Sequence, residues 1–249
     1  MVNNLKNIYR YLRVLTIRFC AWLFAKKGLG DFKSILILAP HPDDEVFGCA
    51  GLIQYYQKRG CKVHIAILTD GDAAYPESLI SKKELAQQRL SLTHKAAKIL
   101  SVNVDNITYL HWKDGEIDKF ADYEGLMQIV NDIRPEAMFS THSFEGWSDH
   151  IATAQLADRI VRDFMEFNIR NFKYCVWLWY SMPYSQILKL NWKNSKLFKL
   201  TKEEYNTKLA AINEYIEPLT DFGKSYSGEL PSVFVKANKW NKELYFEAK

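Results

Sequence analysis

The segment Ser34-Ile-Leu-Ile-Leu-Ala-Pro-His41-Pro-Asp43-Asp44-Glu45 is the most informative stretch of this chain. A short run of apolar β-formers ends abruptly in a histidine, a proline and three consecutive carboxylates, which predicts a buried strand over 34–39. In an open α/β sheet, ligands bind just beyond the carboxyl ends of the strands. Crowded carboxylates are costly without a cation, and histidine with carboxylate is a ligand set that suits zinc. The segment therefore predicts a metal site at a sheet edge.

The rest of the chain alternates between strands and helices. We predict further strands over 62–69, 107–112, 137–141 and 174–180, and helices over 45–59, 81–100, 123–133 and 149–168. This alternation indicates an α/β fold with a Rossmann-like, mostly parallel sheet and helices on both faces. Right-handed crossovers bring the carboxyl ends of the strands to one edge. The later pattern, a helix over 202–215 and strands over 232–236 and 243–246, predicts a C-terminal elaboration of one domain over 31–249.

Composition excludes several classes of protein. The chain has 249 residues, of which 48% are hydrophobic and 25% charged, as in ordinary globular domains. A net charge of +4 gives no strong signal for nucleic-acid binding. The four cysteines form no CxxC pair, which argues against a cysteine zinc site or a disulfide framework and favours a reducing, cytoplasmic compartment. A dinucleotide enzyme is disfavoured because no GxGxxG follows the first strand.

The N-terminal segment, residues 1–30, predicts a basic amphipathic helix. Arg10, Arg13 and Arg18 interrupt its apolar stretch, so it suits neither a membrane span nor a signal peptide. Two interpretations remain. The helix lies on the inner face of the cytoplasmic membrane through residues 1–27, which the many basic residues slightly favour, or it packs on the domain or on a partner subunit.

Three side chains are the candidate metal ligands. His41 and Asp44 lie three residues apart on a turn into a helix, where both can reach one ion. The best third candidate is His150, in Gly146-Trp-Ser-Asp-His-Ile-Ala152, because it opens a helix at the same sheet edge. Two histidines and one carboxylate leave a position for water, as in catalytic zinc sites, and also suit other divalent ions. An alternative is that the acidic residues cap helices and that His150 is a partly buried helical residue.

Neighbouring carboxylates are candidates for proton transfer and support. Asp43 adjoins a ligand and suits a general base, although a plain N-cap explains it too. We expect Glu45 to orient His41 as a supporting partner. Asp149 is expected to orient a ligand or to contact substrate, or it is a second N-cap.

At this point a family resemblance becomes specific. Ala39-Pro-His-Pro-Asp-Asp-Glu45 resembles the signature of the PIG-L/LmbE-like family of zinc-dependent N-acetylglucosaminide de-N-acetylases. Further resemblances follow in the expected order: Leu68-Thr-Asp-Gly-Asp72, Arg89, Leu110-His-Trp-Lys-Asp-Gly115 and Gly146–Ala152. The resemblance implies that His41, Asp44 and His150 bind the metal and that Asp43 is the general base. We expect Arg89, Asp114 and Trp147 to contact substrate.

The chain departs from the family pattern at two positions. Family members carry a histidine three residues before the late ligand, where it polarises the amide carbonyl, and here that residue is Trp147. His142, at the end of the fourth predicted strand, is the candidate catalytic replacement. Leu92 stands where the family carries an acidic residue after Arg89. Lys208 and Tyr215 resemble a late Lys…Tyr helix of the family, without an assigned role.

The resemblance implies a zinc-dependent hydrolase that removes the acetyl group from an N-acetylated amino sugar. Combined with the basic N-terminal helix, it predicts a lipid-linked or envelope-glycan precursor as substrate. Two alternatives stay open. One is a metal hydrolase of another amide or ester, and the other is a catalytically weak glycan-binding protein, which Trp147 suggests.

Overall fold

The computed structural model describes residues 2–248, with side chains described for residues 5–119 and 121–248. The strands of this part of the chain are β1 (Lys26–Lys27), β2 (Ser34–Ala39), β3 (Lys62–Thr69), β4 (Ile107–Trp112), β5 (Ala137–Thr141), β6 (Arg170–Tyr174), β7 (Ser195–Lys199) and β8 (Lys242–Glu247). The helices are α1 (Val2–Phe24), α2 (Asp44–Gln57), α3 (Lys82–Ile99), α4 (Ile117–Phe120), α5 (Tyr123–Ile133), α6 (Ser148–Asp163), α7 (Leu178–Ser181), α8 (Tyr184–Ile187), α9 (Lys202–Ile216) and α10 (Ser232–Asn238).

These strands form one sheet in the order β1-β7-β8-β6-β5-β2-β3-β4. The pairs from β6 to β4 are parallel, whereas β8 is antiparallel to both β6 and β7. Strand order reverses between β2 and β5, because β3 and β4 extend one way and β6 extends the other. Such a switch point opens a crevice at the carboxyl ends of its strands. His41 lies in the turn after β2, and His150 lies in the first turn of α6, the helix that follows β5.

The central strand β2 is buried on both faces, as its continuous apolar run requires. Ile35 and Ile37 face a core made with α2, α3 and α9, and Leu36 and Leu38 face a core made with α5 and α6. Because successive side chains of a strand point to opposite faces of the sheet, this one short strand contributes to the cores on both faces. This double burial holds the end of β2, and the His41 turn after it, in a rigid frame.

The structure corrects two predicted strands. The strand predicted over 174–180 lies earlier in the chain, at Arg170–Tyr174, and helix α7 follows it. Its polar residue Lys173 is buried because the ammonium donates to Ser140 Oγ and the Ala154 carbonyl and pairs with Asp158 at 2.7 Å. Residues 232–236 belong to helix α10, not to a strand. Pro231 precedes the helix, and its buried residues are Val233, Phe234, Ala237 and Asn238, which is helical rather than alternating spacing.

Helix α1 packs one of its faces on the domain. Val14, Ile17 and Ala21 are buried in a second core with residues of α7 and α10. The opposite face exposes large apolar side chains to solvent, among them Leu12, Phe19 and Trp22. The described part of the chain has no helix with the length and apolarity needed to cross a bilayer.

A buried ion pair ties the C-terminal elaboration to α2. Glu243 on β8 accepts hydrogen bonds from the backbone N–H groups of Gly51 and Leu52 and from Lys208 Nζ on α9, at 2.8–2.9 Å. Both charged side chains are 2% exposed, so each charge depends on the other. The contacts fix α2, the helix that begins at Asp44.

Glu243→Leu is expected to lower the free energy of unfolding by about 3–5 kcal/mol, because it leaves Lys208 as an unpaired buried charge. Urea denaturation followed by circular dichroism measures the loss. Lys58→Met is the matched control: the Lys58–Glu203 pair is exposed, and its loss is expected to cost less than about 1 kcal/mol. Equal losses in the two variants would contradict the role given to the buried pair.

Candidate metal centre and its cavity

The turn between β2 and α2 directs neighbouring acidic side chains to different places. Asp43 has φ 134° and ψ −28°, a conformation that is strained for a residue with a side chain. Its carbonyl accepts from the N–H groups of Val46 and Phe47, and its own N–H donates to Glu45 Oε2 at 3.0 Å. These bonds hold the strained residue, so that Asp43 and Asp44 diverge although they are adjacent in the chain.

His41, Asp44 and His150 converge at this turn. Asp44 Oδ2 lies 3.2 Å from His41 Nδ1 and 3.4 Å from His150 Nε2. One ligand atom from each of the three residues lies within 4.8 Å of the others. His41, Asp114 and Asp149 meet the same distance criterion, with His41 Nε2 lying 3.1 Å from Asp114 Oδ1 and 3.3 Å from Asp149 Oδ2.

The chemistry of the first set fits a divalent metal. His150 is 1% exposed, and Nε2 is the ring nitrogen that faces Asp44. Burial raises the pKa of Asp44, but the nearby imidazoles of His150 and His41 outweigh burial and lower it overall, so the carboxylate is charged. Two imidazole nitrogens and one carboxylate oxygen facing one another are the donor set of a catalytic zinc centre.

Glu145 lies behind His150, a role that the sequence pattern does not predict. Its Oε2 lies 3.6 Å from His150 Nδ1, the ring nitrogen turned away from Asp44. Glu145 is fully buried and accepts hydrogen bonds from the backbone N–H groups of Val176 and Trp177. A carboxylate behind a histidine ligand fixes the orientation of the ring. The signal is the Glu145-Gly-Trp-Ser-Asp-His150 spacing, which becomes meaningful only once the loop after β5 is folded.

Arg89 holds Asp43 instead of standing free for substrate. Its guanidinium donates to Asp43 Oδ2 at 3.1 Å and to the carbonyls of Pro42 and Gly71, and the residue is 3% exposed. Gly71 has φ 65°, and a Cβ there would collide with the guanidinium, which explains the glycine in the loop after β3. Burial raises the pKa of Asp43 to about 7, although Arg89 lowers it.

Glu45 supports Asp43 rather than His41, contrary to the expectation. Its Oε2 accepts from the Asp43 N–H, and its Oε1 accepts from the Tyr215 hydroxyl at 2.8 Å. Burial raises the pKa of Glu45 to about 7. The Tyr215 hydroxyl oxygen also lies 3.1 Å from Thr93 Oγ1, so one phenol of helix α9 contacts both the turn and helix α3.

Asp114 and Asp149 join the loop after β4 to helix α6. Asp149 accepts from the N–H groups of Gly115 and Ile117 at 2.8 and 3.2 Å, and Asp114 accepts from the Ala73 N–H at 2.7 Å. Burial would raise the pKa of Asp114, but contact with His41 outweighs it and holds the pKa well below its usual range. Both carboxylates therefore orient His41 Nε2, and Asp149 does not contribute a side-chain cap to α6.

The structure does not bring His142 to the site. It is 8% exposed, and its ring packs on Phe144 and Phe246 while Nδ1 accepts from the Phe144 N–H. Burial lowers the pKa of His142 to about 4. Among the described residues it is not part of the cavity wall, because the loop after β5 turns away before Glu145. We therefore withdraw His142 as a catalytic candidate.

A cavity of about 420 Å³ opens over the metal-ligand cluster. Its floor contains His41, Asp43 and Asp44, and its rim contains Trp147 and Trp177. Trp147 is 52% exposed and contacts the Trp177 ring edge-to-face at 5.4 Å. The remaining wall comes from loops and from helices α3, α6 and α10: Ala73, Ala74, Arg89, Asp114, Gly115, Ser148, Asp149, His150, Ser227, Gly228, Glu229, Leu230 and Phe234.

Fold and site together define a Rossmann-like protein with a His–Asp–His cluster at its switch point. The family described as GlcNAc-PI de-N-acetylase, PIG-L, matches residues 36–161. The chain belongs to this family, as the sequence resemblance predicts. The match includes β2 to α6 and all three candidate ligands, and it leaves out α1 and the C-terminal elaboration.

Known relatives are similar in sequence or in fold. Diacetylchitobiose deacetylase of Thermococcus kodakarensis is 30% identical over 124 residues, 48% of this chain and 46% of that protein, so the match spans about half of the relative. The N,N'-diacetylchitobiose deacetylase structure from Pyrococcus horikoshii has 26% identity and a TM-score of 0.53, covering 74% of this chain and 70% of that one. A zinc-inhibited teicoplanin deacetylase, 12% identical, shares the fold, with a TM-score of 0.61 and coverage of 86% and 97%.

His150→Ala is expected to abolish tight zinc binding, because it removes one of three ligands. Asp43→Asn is expected to retain zinc, since Asp43 lies outside that set. Glu145→Gln is expected to weaken zinc binding about 10–100-fold. Dialysis against a zinc buffer with elemental analysis measures all three, and retention of zinc by the alanine variant would refute the ligand assignment.

Proposed function

We propose that this protein is a zinc-dependent N-deacetylase that removes the acetyl group from an N-acetylated amino sugar. The observation that carries the proposal is the position of Asp43, a buried carboxylate beside the His41–Asp44–His150 cluster on the floor of the cavity. Family membership and the deacetylase names of the relatives support the reaction class.

The reaction is amide hydrolysis. Zinc held by His41, Asp44 and His150 supplies Lewis acidity toward the carbonyl and makes water more acidic. Asp43 accepts a proton as the water oxygen adds to the carbonyl carbon, and it returns that proton to the nitrogen as the C–N bond breaks. The products are acetate and the free amino sugar. Arg89 and Glu45 hold Asp43 in its strained conformation for both proton transfers.

The aromatic rim suits a sugar. Trp147, Trp177 and Phe234 line the cavity, and aromatic faces pack on the apolar C–H surface of a pyranose while an indole N–H donates one hydrogen bond. Trp147 stands where the family resemblance implies a histidine that polarises the amide carbonyl, and an indole cannot carry a proton charge. This replacement favours a second candidate function, a glycan-binding protein with weak turnover.

Zinc-loaded protein is expected to release acetate from N-acetylglucosamine glycosides, and Asp43→Asn is expected to lower kcat about 10²–10⁴-fold while zinc stays bound. Enzymatic acetate detection measures both. Release from other acetylated amides or acetate esters, with none from the sugars, would favour the hydrolase of another amide or ester. Absence of turnover combined with glycan binding would favour the binding protein.

We also propose that α1 rests on the cytoplasmic face of an anionic membrane and that the substrate is a lipid-linked or envelope-glycan precursor. Large apolar side chains line its outer face at spacings of three and four: Leu5, Ile8, Leu12, Leu15, Phe19 and Trp22, each at least 43% exposed. The helix contains basic but no acidic residues. A lipid surface of negative charge matches this face, whereas a second copy would bring like charges together.

The cytoplasmic side of the membrane is supported by the cysteines. All four are free, as is usual in a reducing compartment.

The double variant Leu12→Glu/Phe19→Glu is expected to lose partitioning into vesicles that contain phosphatidylserine. It is preferable to deletion of residues 1–27, which would also remove the buried Ile17 and Ala21. Met165→Glu is the control, since Met165 is 75% exposed on another part of the surface. Vesicle sedimentation measures binding. Unchanged partitioning of the double variant would contradict the membrane proposal. So would a dimer of the unmodified protein that the double variant loses while it keeps lipid binding.

A further inference from the structure

A second cavity, of about 330 Å³, adjoins the active-site cavity. Arg10 and Arg13 of α1 form one wall of this second cavity. Its other walls contain Gly146, Tyr180 and Ser181 together with two tryptophan indoles. Trp147 and Trp177 line both cavities. The two cavities therefore share the indole pair, and the second one reaches α1, a helix outside the segment that matches the family.

The two arginines of this second cavity have no acidic partner in the described part of the chain. Arg13 is 7% exposed; one Nη donates to the Tyr180 carbonyl, and its buried Nε has no hydrogen-bond partner there. The Arg10 guanidinium lies 4.2 Å from the centre of the Tyr180 ring. Arg10 is half-buried and Arg13 is buried. Burying the Arg13 cation without an anion is costly, so a bound anion would stabilise this wall.

We propose that Arg10 and Arg13 form a subsite for a phosphate group attached to the amino sugar, so that the substrate is an N-acetylamino sugar phosphate ester. Guanidinium groups bind phosphate oxygens through paired, charge-assisted hydrogen bonds. The inference rests on the proposed deacetylase function and adds the class of the substrate. A nucleotide sugar and a lipid-linked sugar both present this phosphate.

The kinetic experiment compares N-acetylglucosamine 1-phosphate with methyl N-acetylglucosaminide on zinc-loaded protein. The phosphorylated substrate is expected to have a KM at least tenfold lower. Arg10→Gln is expected to bring the ratio of the two KM values close to one. Arg18→Gln, on the same helix but bonded to the carbonyls of Lys236 and Ala237, is the matched control and is expected to keep the ratio. A ratio near one in the unmodified protein would overturn the subsite.

A binding experiment separates this inference from the proposed function. Calorimetry of the unmodified protein with glucosamine 1-phosphate is expected to give a Kd at least tenfold below that for methyl glucosaminide, with the difference shrinking at high salt. Selective binding without turnover would refute the deacetylase and keep the phosphate subsite. Turnover without selective binding would refute the phosphate subsite and keep the deacetylase. Binding of glucuronic acid as tight as that of glucosamine 1-phosphate would overturn the choice of phosphate.

The source of the phosphate is resolved by two further substrates. Uridine diphosphate N-acetylglucosamine and a short-chain prenyl diphosphate N-acetylglucosamine both carry a phosphate on the sugar. A lower KM for the prenyl compound supports a lipid-linked substrate, and a lower KM for the nucleotide supports a soluble one. Arg10→Gln is expected to raise both KM values, and failure to raise either would contradict the subsite.

Discussion

The site depends on buried negative charge gathered around two imidazole rings. Asp43, Asp44, Asp114 and Asp149 lie at most 9% exposed in their side chains, and no sheet edge tolerates that concentration of anions without compensation. Backbone N–H groups and Arg89 compensate part of it. The rest falls on His41: burial lowers its pKa, but its hydrogen bonds to Asp114, Asp149 and Asp44 raise that pKa well above its usual value. A divalent cation held by Asp44 and the two imidazoles would take the place of a proton on His41 Nδ1.

The rigid sheet keeps these carboxylates close together despite their mutual repulsion. β2 lies at the switch point and is packed on both faces, so the turn after it does not relax to separate its carboxylates. Glu45 accepts the Asp43 N–H and so holds its strained backbone, and Tyr215 in turn donates to Glu45. The Lys208–Glu243 pair ties α9 and β8 to α2. The C-terminal elaboration therefore positions candidate catalytic groups that it does not itself contain.

Much of the fold follows from local pattern, and the exceptions have physical causes. β2 to β5 and the three candidate ligands lie where the sequence places them, because long apolar runs and a specific motif outweigh other signals. The β6 prediction is shifted because buried Lys173 makes a core strand look polar. The roles of Arg89 and Glu45 depend on which way Asp43 points, and a φ of 134° leaves no trace in the sequence. Glu145 and the Arg10–Arg13 wall arise from contacts between distant segments.

The same His41 ring belongs to two clusters, and we expect the metal in only one of them. Anomalous diffraction at the zinc edge from crystals of the zinc-loaded protein tests this directly. One peak is expected about 2.0–2.3 Å from His41, Asp44 and His150, with Asp114 and Asp149 remaining as hydrogen-bond partners of His41. A peak between His41, Asp114 and Asp149, or no peak near His41, would contradict it.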